Sequence, residues 1–564
     1  MMELRYIQNM SSLPCSMRRA ALAVAALAAV AAAAPPAVAQ RTTTRPAPAT
    51  AAPPRPVPTL VVFFTVDQMR PDYLSRFESQ LQGGLARLYH HGAVFTEAYQ
   101  DHAITETAPG HASTLSGRFP RSTGIVTNNT GVGDPQAPLI GSTGPGASPF
   151  RFRGSTLTDW LRSRDARTRA LSVSRKDRGA ILPLGRAKQN VFWYDPELVS
   201  REGNVGGFTT SRYYGDTLPT WVTRFNARNP IARYAGARWT PLLPASAYRE
   251  PDSVRAENGG KDYLFPHVLP TDPKRLADEI RSVPTMDSLI LAAALDGLRT
   301  LDIGRGPQTD VLAISLSTTD AVGHRYGPDS KEQHDQILRL DRFLGAFFDS
   351  LYAVRDSARI VVALTADHGV SPYPNVRSAD PNAGAQFIDS RKLMAPVRAA
   401  LAARGVEAAS FSFSDGVVQL DRAALARAGV SADSLVRSLA ATLRATPGIM
   451  RAETMREVAK RDTTTDDVAR RWMHMIPSDL DVALVVTPRP YWEWGWGEWP
   501  MATHGIPQSH DAHVPLIFYG PAFTPGRYTR FSRVVDIAPT LAAVVGVPPT
   551  ERLDGHVLVE ALKK

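Results

Sequence analysis

Four stretches of the chain are apolar at nearly every position: "TLVVFFTV" (59–66), "TDVLAISL" (309–316), "RIVVALTA" (359–366) and "VPLIFYG" (514–520). None alternates strictly, so each predicts a strand buried on both faces, as in a parallel sheet covered by helices. A fifth run, "DVALVVT" (481–487), is a further candidate. Between them the apolar spacing widens to a helical period in "MDSLILAAALDGLRTL" (286–301) and "SKEQHDQILRLDRFLGAFFDSLYAV" (330–354). Alternating strands and helices predict an α/β fold with a central, mostly parallel sheet. Two long segments break the alternation. Residues 150–280 are rich in Tyr, Trp, Pro and Gly, and residues 372–478 carry their own Val/Leu/Ala pattern. Long irregular segments in compact proteins tend to be functional, so both are read as insertions that cap the sheet.

The N-terminus changes the picture. From Met17, "MRRAALAVAALAAVAAAAPPAVAQ" offers two arginines, an Ala/Leu/Val core and a small-x-small end at Ala37-Val38-Ala39. This predicts a secretory signal over 1–39, cleaved after Ala39, with residues 1–16 as an upstream extension. The apolar run is too short for a membrane span and ends in Pro-Pro, so a periplasmic or secreted protein without membrane insertion is expected. The single cysteine, Cys15, precedes that run. The predicted mature chain therefore has no disulfide and no thiolate ligand. Residues 40–58, "QRTTTRPAPATAAPPRPVP", read as a linker, leaving 59–564 as the folded domain. The balance of 64 Lys+Arg against 54 Asp+Glu gives a net charge of +10, but the arginines are scattered. No nucleic-acid partner is expected, whereas anionic small molecules suit such a surface.

Chemistry gathers where the strands end. The first run ends at Asp67, the second leads to Asp320 and His324, and the third ends at Asp367-His368. His504 lies just ahead of the fourth, and His510 and His513 are rivals for its place. Taken singly, Asp320 and His324 could be an N-cap and a solvated imidazole. In open α/β sheets, however, ligands bind outside the carboxyl ends of the strands. Three Asp and three His at one edge would give two metal ions about three ligands each, with open positions for substrate. Paired ions suit in-line attack at phosphorus. In "TETAPGHASTLSG" (105–117), Thr107 stands two residues ahead of Pro109 at the apparent start of a helix. It could be a simple N-cap, or a nucleophile at a helix end suited to a phosphoryl group.

Asp67, Thr107-x-Pro-Gly-His, Asp320-x-x-x-His324, Asp367-His368-Gly and Thr503-His504-Gly, in this order, resemble the alkaline phosphatase superfamily. The likeness continues through "VVDIAPTLAAVVGVPP" (534–549) and "DGHVL" (554–558). It implies an alkaline-phosphatase-like three-layer sandwich with a central mostly parallel sheet. It also implies two zinc ions, one held by Asp320, His324 and His504, the other by Asp67, Asp367, His368 and the nucleophile Thr107. "SVSRKDRGAI" (172–181) looks like the Lys-x-Arg element of secreted single-threonine alkaline phosphatases. There Lys176, Arg178 and Asn128 would cradle the phosphate oxygens. Two extra cations favour a monoester dianion, so a phosphate monoesterase acting through a phosphothreonine is expected. The phosphodiesterase/nucleotide pyrophosphatase branch, which lacks that pair, is the alternative. A secreted binding protein on an inactive fold is a weaker one, since no ligand or nucleophile is lost. The stretch "AISLSTT" has no carboxylate where third-metal relatives carry Glu, so no magnesium site is expected. No Cys/Ser-x-Pro-x-Arg motif supports a sulfatase. A monomer is favoured.

Overall fold

The computed structural model describes residues 57–373, 386–495 and 501–563. The predicted signal segment, nearly all of the linker and positions 496–500 of the aromatic stretch 490–500 lie outside them. Nine strands form the main sheet: β1 (Leu60–Val66), β2 (Ala93–Phe95), β3 (Ala170–Ser174), β4 (Asn190–Val199), β5 (Val205–Thr209), β6 (Asp310–Leu316), β7 (Ile360–Thr365), β8 (Leu516–Tyr519) and β9 (Gly526–Tyr528). Their order is β9-β2-β8-β7-β1-β6-β3-β4-β5. The run from β7 through β4 is parallel, while β8 lies antiparallel to both β7 and β2. This is a large mixed sheet flanked by helices, the α/β arrangement expected.

Every residue of β1, β6 and β7 is buried. Helices on both faces explain why these strands read as unbroken apolar runs. The four helices that matter below are α1 (Thr107–Thr114), α2 (Thr285–Thr300), α3 (Thr318–Tyr326) and α4 (Lys331–Tyr352). α4 sets Phe347 and Phe348 edge-on against Phe64 of β1, with centroids 5.6 and 5.8 Å away.

Two expectations are corrected. Residues 150–280 are not all cap, because β3, β4 and β5 extend the main sheet from within them. Their sequences, "ALSVS", "NVFWYDPELV" and "VGGFT", carry Ser, Gly, Asp and Pro in place of a long Val/Ile/Leu run. The "DVALVVT" run does form a strand, Leu484–Pro488, but in a separate four-stranded antiparallel sheet with Phe411–Ser414, Val417–Leu420 and Ile449–Glu453. The segment counted as a cap over 372–478 thus draws its third strand from beyond its predicted end. Leu484 and Val486 join a core with Val418 and Leu439, while Val485 packs on the other face with Trp472 and Met475. Burial on both faces makes this strand look like one from the main sheet.

Candidate active site

Register alone brings the strand ends level. β1 pairs β6 with Val66 opposite Leu316, and β7 with Thr65 opposite Thr365. Asp67 and Asp367 each lie two places past that last pair, so both side chains emerge at one height on one face. β3 pairs β6 with Ser174 opposite Ser315, which sets Lys176 beside Ser317. Lys176 therefore stands at a strand end like the aspartates, not in a cap. β8 enters the sheet from the edge that its parallel neighbours leave. His504, ahead of it, is delivered to the same place.

There the Lys176 ammonium lies 2.7 Å from Asp67 Oδ2 and 2.7 Å from Asp320 Oδ2, and donates to Thr107 Oγ1 at 3.3 Å. Arg175 Nη2 is 3.7 Å from Asp320 Oδ2. α3 carries Asp320 and His324 one turn apart, His324 Nε2 being 3.1 Å from Asp320 Oδ1. His368 Nε2 is 3.4 Å from Asp67 Oδ1, and the His504 ring stacks on that of His368 at 3.5 Å. His504 Nε2 is also 3.6 Å from Asp320 Oδ1. Neither bland alternative holds: Ser317 is the N-cap of α3 and Glu106 that of α1, whose first residue is Thr107.

The donor chemistry fits metal ions. Each of the three histidines turns Nδ1 to a main-chain carbonyl: His324 to Ala502 at 2.6 Å, His368 to Gly369 at 2.9 Å and His504 to Thr105 at 2.8 Å. A carbonyl only accepts, so Nδ1 carries the proton and Nε2 keeps its lone pair toward the carboxylates. Asp67 Oδ1 and His368 Nε2 are buried with no hydrogen bond among the described residues. Two donor sets close to within 4.8 Å: Asp67, Asp367 and His368, and Asp320, His368 and His504. The first brings together the Asp and His residues expected around one ion; the second has His368 beside Asp320 and His504, where His324 was expected.

Burial raises the Asp67 pKa above its ordinary value, and the charges of Asp320 and Asp367 push the same way. Burial also works against the Asp320 carboxylate, but Lys176 and His324 outweigh it and hold that group well below the usual range. Burial drives His368 well below its ordinary value, aided by His504, which keeps it in the neutral, ligating form. Three buried carboxylates beside one ammonium leave negative charge that divalent cations would neutralise.

Asn128 Oδ1 accepts from Ala108 N at 2.9 Å, which places it against the first turn of α1 beside Thr107. Arg178 is not drawn into the cluster. Its guanidinium pairs with Asp177 at 3.6 Å, and its charge reaches Glu106. The rivals for His504 lie elsewhere: His513 Nε2 meets Thr96 O, and His510 sits with Glu493 and Asp511.

Gln68 and His111 escaped the sequence reading. Gln68 has a left-handed backbone, φ 66°, unusual for a residue with a side chain. Its N–H donates to Asp367 Oδ1 at 3.1 Å and its Nε2 to Asp320 Oδ1 at 3.0 Å. His111, the last residue of the Thr-x-Pro-Gly-His motif, sets Nδ1 3.1 Å from Asp367 Oδ2 and 2.9 Å from Thr107 O. Its place in that motif was the available signal; Gln68 had only its position after Asp67.

α1 lies directly on the Asp367 backbone. A Cβ built on Gly110 would meet the Asp367 carbonyl and come within 2.7 Å of Asp367 Cβ. Gly110→Ala is expected to cost about 1–3 kcal/mol of stability. Activity should fall roughly 10²-fold as Thr107 moves from Asp367. Thermal denaturation and steady-state rates test this, and a variant unchanged in both would mean the contact relaxes freely.

With this geometry in view, the model of the Type I phosphodiesterase / nucleotide pyrophosphatase family matches residues 61–427. Alkaline phosphatase PhoV of Synechococcus elongatus is 29% identical over 542 residues, spanning 92% of this chain and 94% of PhoV. Alkaline phosphatase PhoK of Sphingomonas sp. is 30% identical over 538 residues, 89% of this chain and 91% of PhoK. The crystal structure of wild type alkaline phosphatase PafA aligns with a TM-score of 0.81 at 27% identity, covering 90% of this chain and 99% of that one. The chain is a phosphoric ester hydrolase of the alkaline phosphatase superfamily and belongs to the Type I phosphodiesterase / nucleotide pyrophosphatase family.

Proposed function

We propose that this protein is a secreted, metal-dependent phosphate monoesterase with Thr107 as nucleophile. The observation that carries this reading is one contact set: the Thr107 hydroxyl, the Lys176 ammonium and the Asp67 and Asp320 carboxylates meet within 3.3 Å of Lys176 Nζ. Asp320, His324 and His504 would hold one divalent ion, and Asp67, Asp367 and His368 the second, with Thr107 alongside; zinc suits such an O/N set. Ions held there supply Lewis-acid charge that lowers the pKa of the Thr107 hydroxyl and offsets charge on the ester.

The chain's own groups do the rest. Thr107 Oγ forms the new bond to phosphorus as the P–O bond to the alcohol breaks, and water then cleaves the phosphothreonine. Lys176 neutralises a phosphoryl oxygen next to Thr107. Asn128 offers its side-chain amide, its Oδ1 fixed by Ala108 N, beside the same turn. His111 and Gln68 hold Asp367 and Asp320 in orientation. The signal-like N-terminus supports a periplasmic or extracellular site of action, and the described residues include no helix long and apolar enough to cross a membrane. A monomer is the expected state.

The family match, by its description, favours a second reading as a phosphodiesterase or nucleotide pyrophosphatase. Comparing kcat/KM for an aryl phosphate monoester and a bis-aryl diester separates the two. Chelation should abolish activity and zinc should restore it; full turnover by protein that elemental analysis shows to be free of metal would refute the metal-dependent reading.

A further inference from the structure

Glu493, His510 and Asp511 bring one donor atom each to within 4.8 Å of one another. Glu493 lies in the strand Trp492–Gly495, and the other two in the short helix Ser509–Ala512 that leads into β8. Both carboxylates are buried, and 17% of the His510 side chain is exposed. His510 Nε2 stands 3.5 Å from Glu493 Oε1 and 3.7 Å from Asp511 Oδ1. Those separations are long for hydrogen bonds. A tetrahedral ion with bonds of about 2.1 Å, by contrast, sets its ligands roughly 3.4 Å apart.

The partners of these groups sharpen the case. His510 Nε2 and Asp511 Oδ1 are buried with no hydrogen bond among the described residues, and Asp511 is fully enclosed. Glu493 Oε1 takes one from the Ser371 hydroxyl. Tyr491 stacks on the His510 ring at 4.8 Å and holds its plane. A cavity of about 1010 Å³ is lined by Tyr491, Ser509 and His510, which gives an ion a way in.

We propose that Glu493, His510 and Asp511 form a further divalent-metal site, separate from the centre around Thr107, for an ion of the zinc class with water as its remaining ligand. A nitrogen and two carboxylate oxygens suit zinc better than calcium or magnesium, which take oxygen shells. This place differs from the magnesium site considered from "AISLSTT".

The position gives the ion a task. The other oxygen of Asp511, Oδ2, accepts from Gly505 N at 2.8 Å and Ile506 N at 3.1 Å, next to His504. Thr105 Oγ1 is 3.5 Å from that oxygen. The Asp511 carbonyl accepts from Gly369 N at 2.6 Å, next to His368. A Cβ on Gly369 would run into the His510 carbonyl, so these backbones are pressed together. An ion fixing Asp511 therefore fixes the two histidines that stack in the centre.

The test counts ions. Zinc titrated into chelator-treated full-length protein should bind one equivalent more in wild type than in His510→Gln or Glu493→Gln, with kcat/KM falling about tenfold in the variants. Asp367→Asn with His368→Asn should lose ions from the centre and keep the one at His510, so failure of the catalytic reading and of this one are separable. Where the variants do not fold, anomalous scattering at the zinc edge from zinc-soaked wild-type crystals decides. A peak among Glu493, His510 and Asp511 supports the site. Equal equivalents in wild type and folded variants, or no peak there, overturn it.

Discussion

Thr107→Ala should lower kcat/KM for an aryl phosphate monoester by roughly 10⁴-fold or more, with metal content close to wild type. In the proposed mechanism this hydroxyl makes the covalent bond to phosphorus, while the Asp and His side chains are committed to holding ions. The six Asp and His side chains around it remain in the variant. A nucleophile removed from an otherwise intact site costs nearly all of the covalent route and leaves what charge and positioning provide. Thr107→Ser keeps the oxygen and should retain part of the activity. A phosphorylated peptide containing Thr107, trapped at low pH, would show the intermediate directly. Near-wild-type turnover by the Ala variant would move the chemistry to Thr105 or to water.

The second large effect concerns substrate choice. Replacing Lys176 and Arg178 together by Ala should depress monoester hydrolysis about 10²–10⁴-fold more than diester hydrolysis. A monoester dianion has one more negative charge for these cations, and each charge-assisted hydrogen bond is worth roughly 1.5–3 kcal/mol. The geometry makes the shares unequal. Lys176 already touches Thr107 Oγ1, while Arg178 stands off beside Asp177 and Glu106, so Lys176→Ala alone should account for most of the difference. Lys176 also meets Asp67 and Asp320, so metal content must be measured in the same samples. Equal losses on both esters would mean that the pair only steers anions. A wild-type preference for the diester would assign the protein to the other reading and leave Thr107 and the metal centre standing.

What could be read from the chain follows its physics. Buried parallel strands announce themselves as apolar runs, and the acids and histidines closing those runs fall together because adjacent parallel strands end at one level. Asp67, Asp320, Asp367 and His368 are legible for that reason, and His504 because the antiparallel β8 begins at the edge where β7 ends. β3 and β4 were not, since Ser172, Ser174 and Pro196 break the pattern on which strands are recognised. Lys176 was consequently placed in a cap when it belongs to the sheet edge. Leu484–Pro488 misled in the opposite way, through burial on two faces of a different sheet. Gln68 left no trace because its role depends on a backbone angle. Glu493 and Asp511 join only in three dimensions, from a strand and a helix with no shared motif.

The centre draws on the ends of β1, β3, β6 and β7 and on the approach to β8, so its parts come from nearly the whole length of the described chain. Contacts between such distant positions carry a higher loop-closure cost than local ones, and a fold rich in them is expected to form slowly. The antiparallel sheet around Val418 and Leu484 has its own apolar core and one local hairpin, Phe411–Ser414 with Val417–Leu420. Asp67 meets His368 only where β1 pairs with β7, about 300 residues further along the chain. Ions bound as proposed would thus meet donors that strand pairing in the main sheet has already set level.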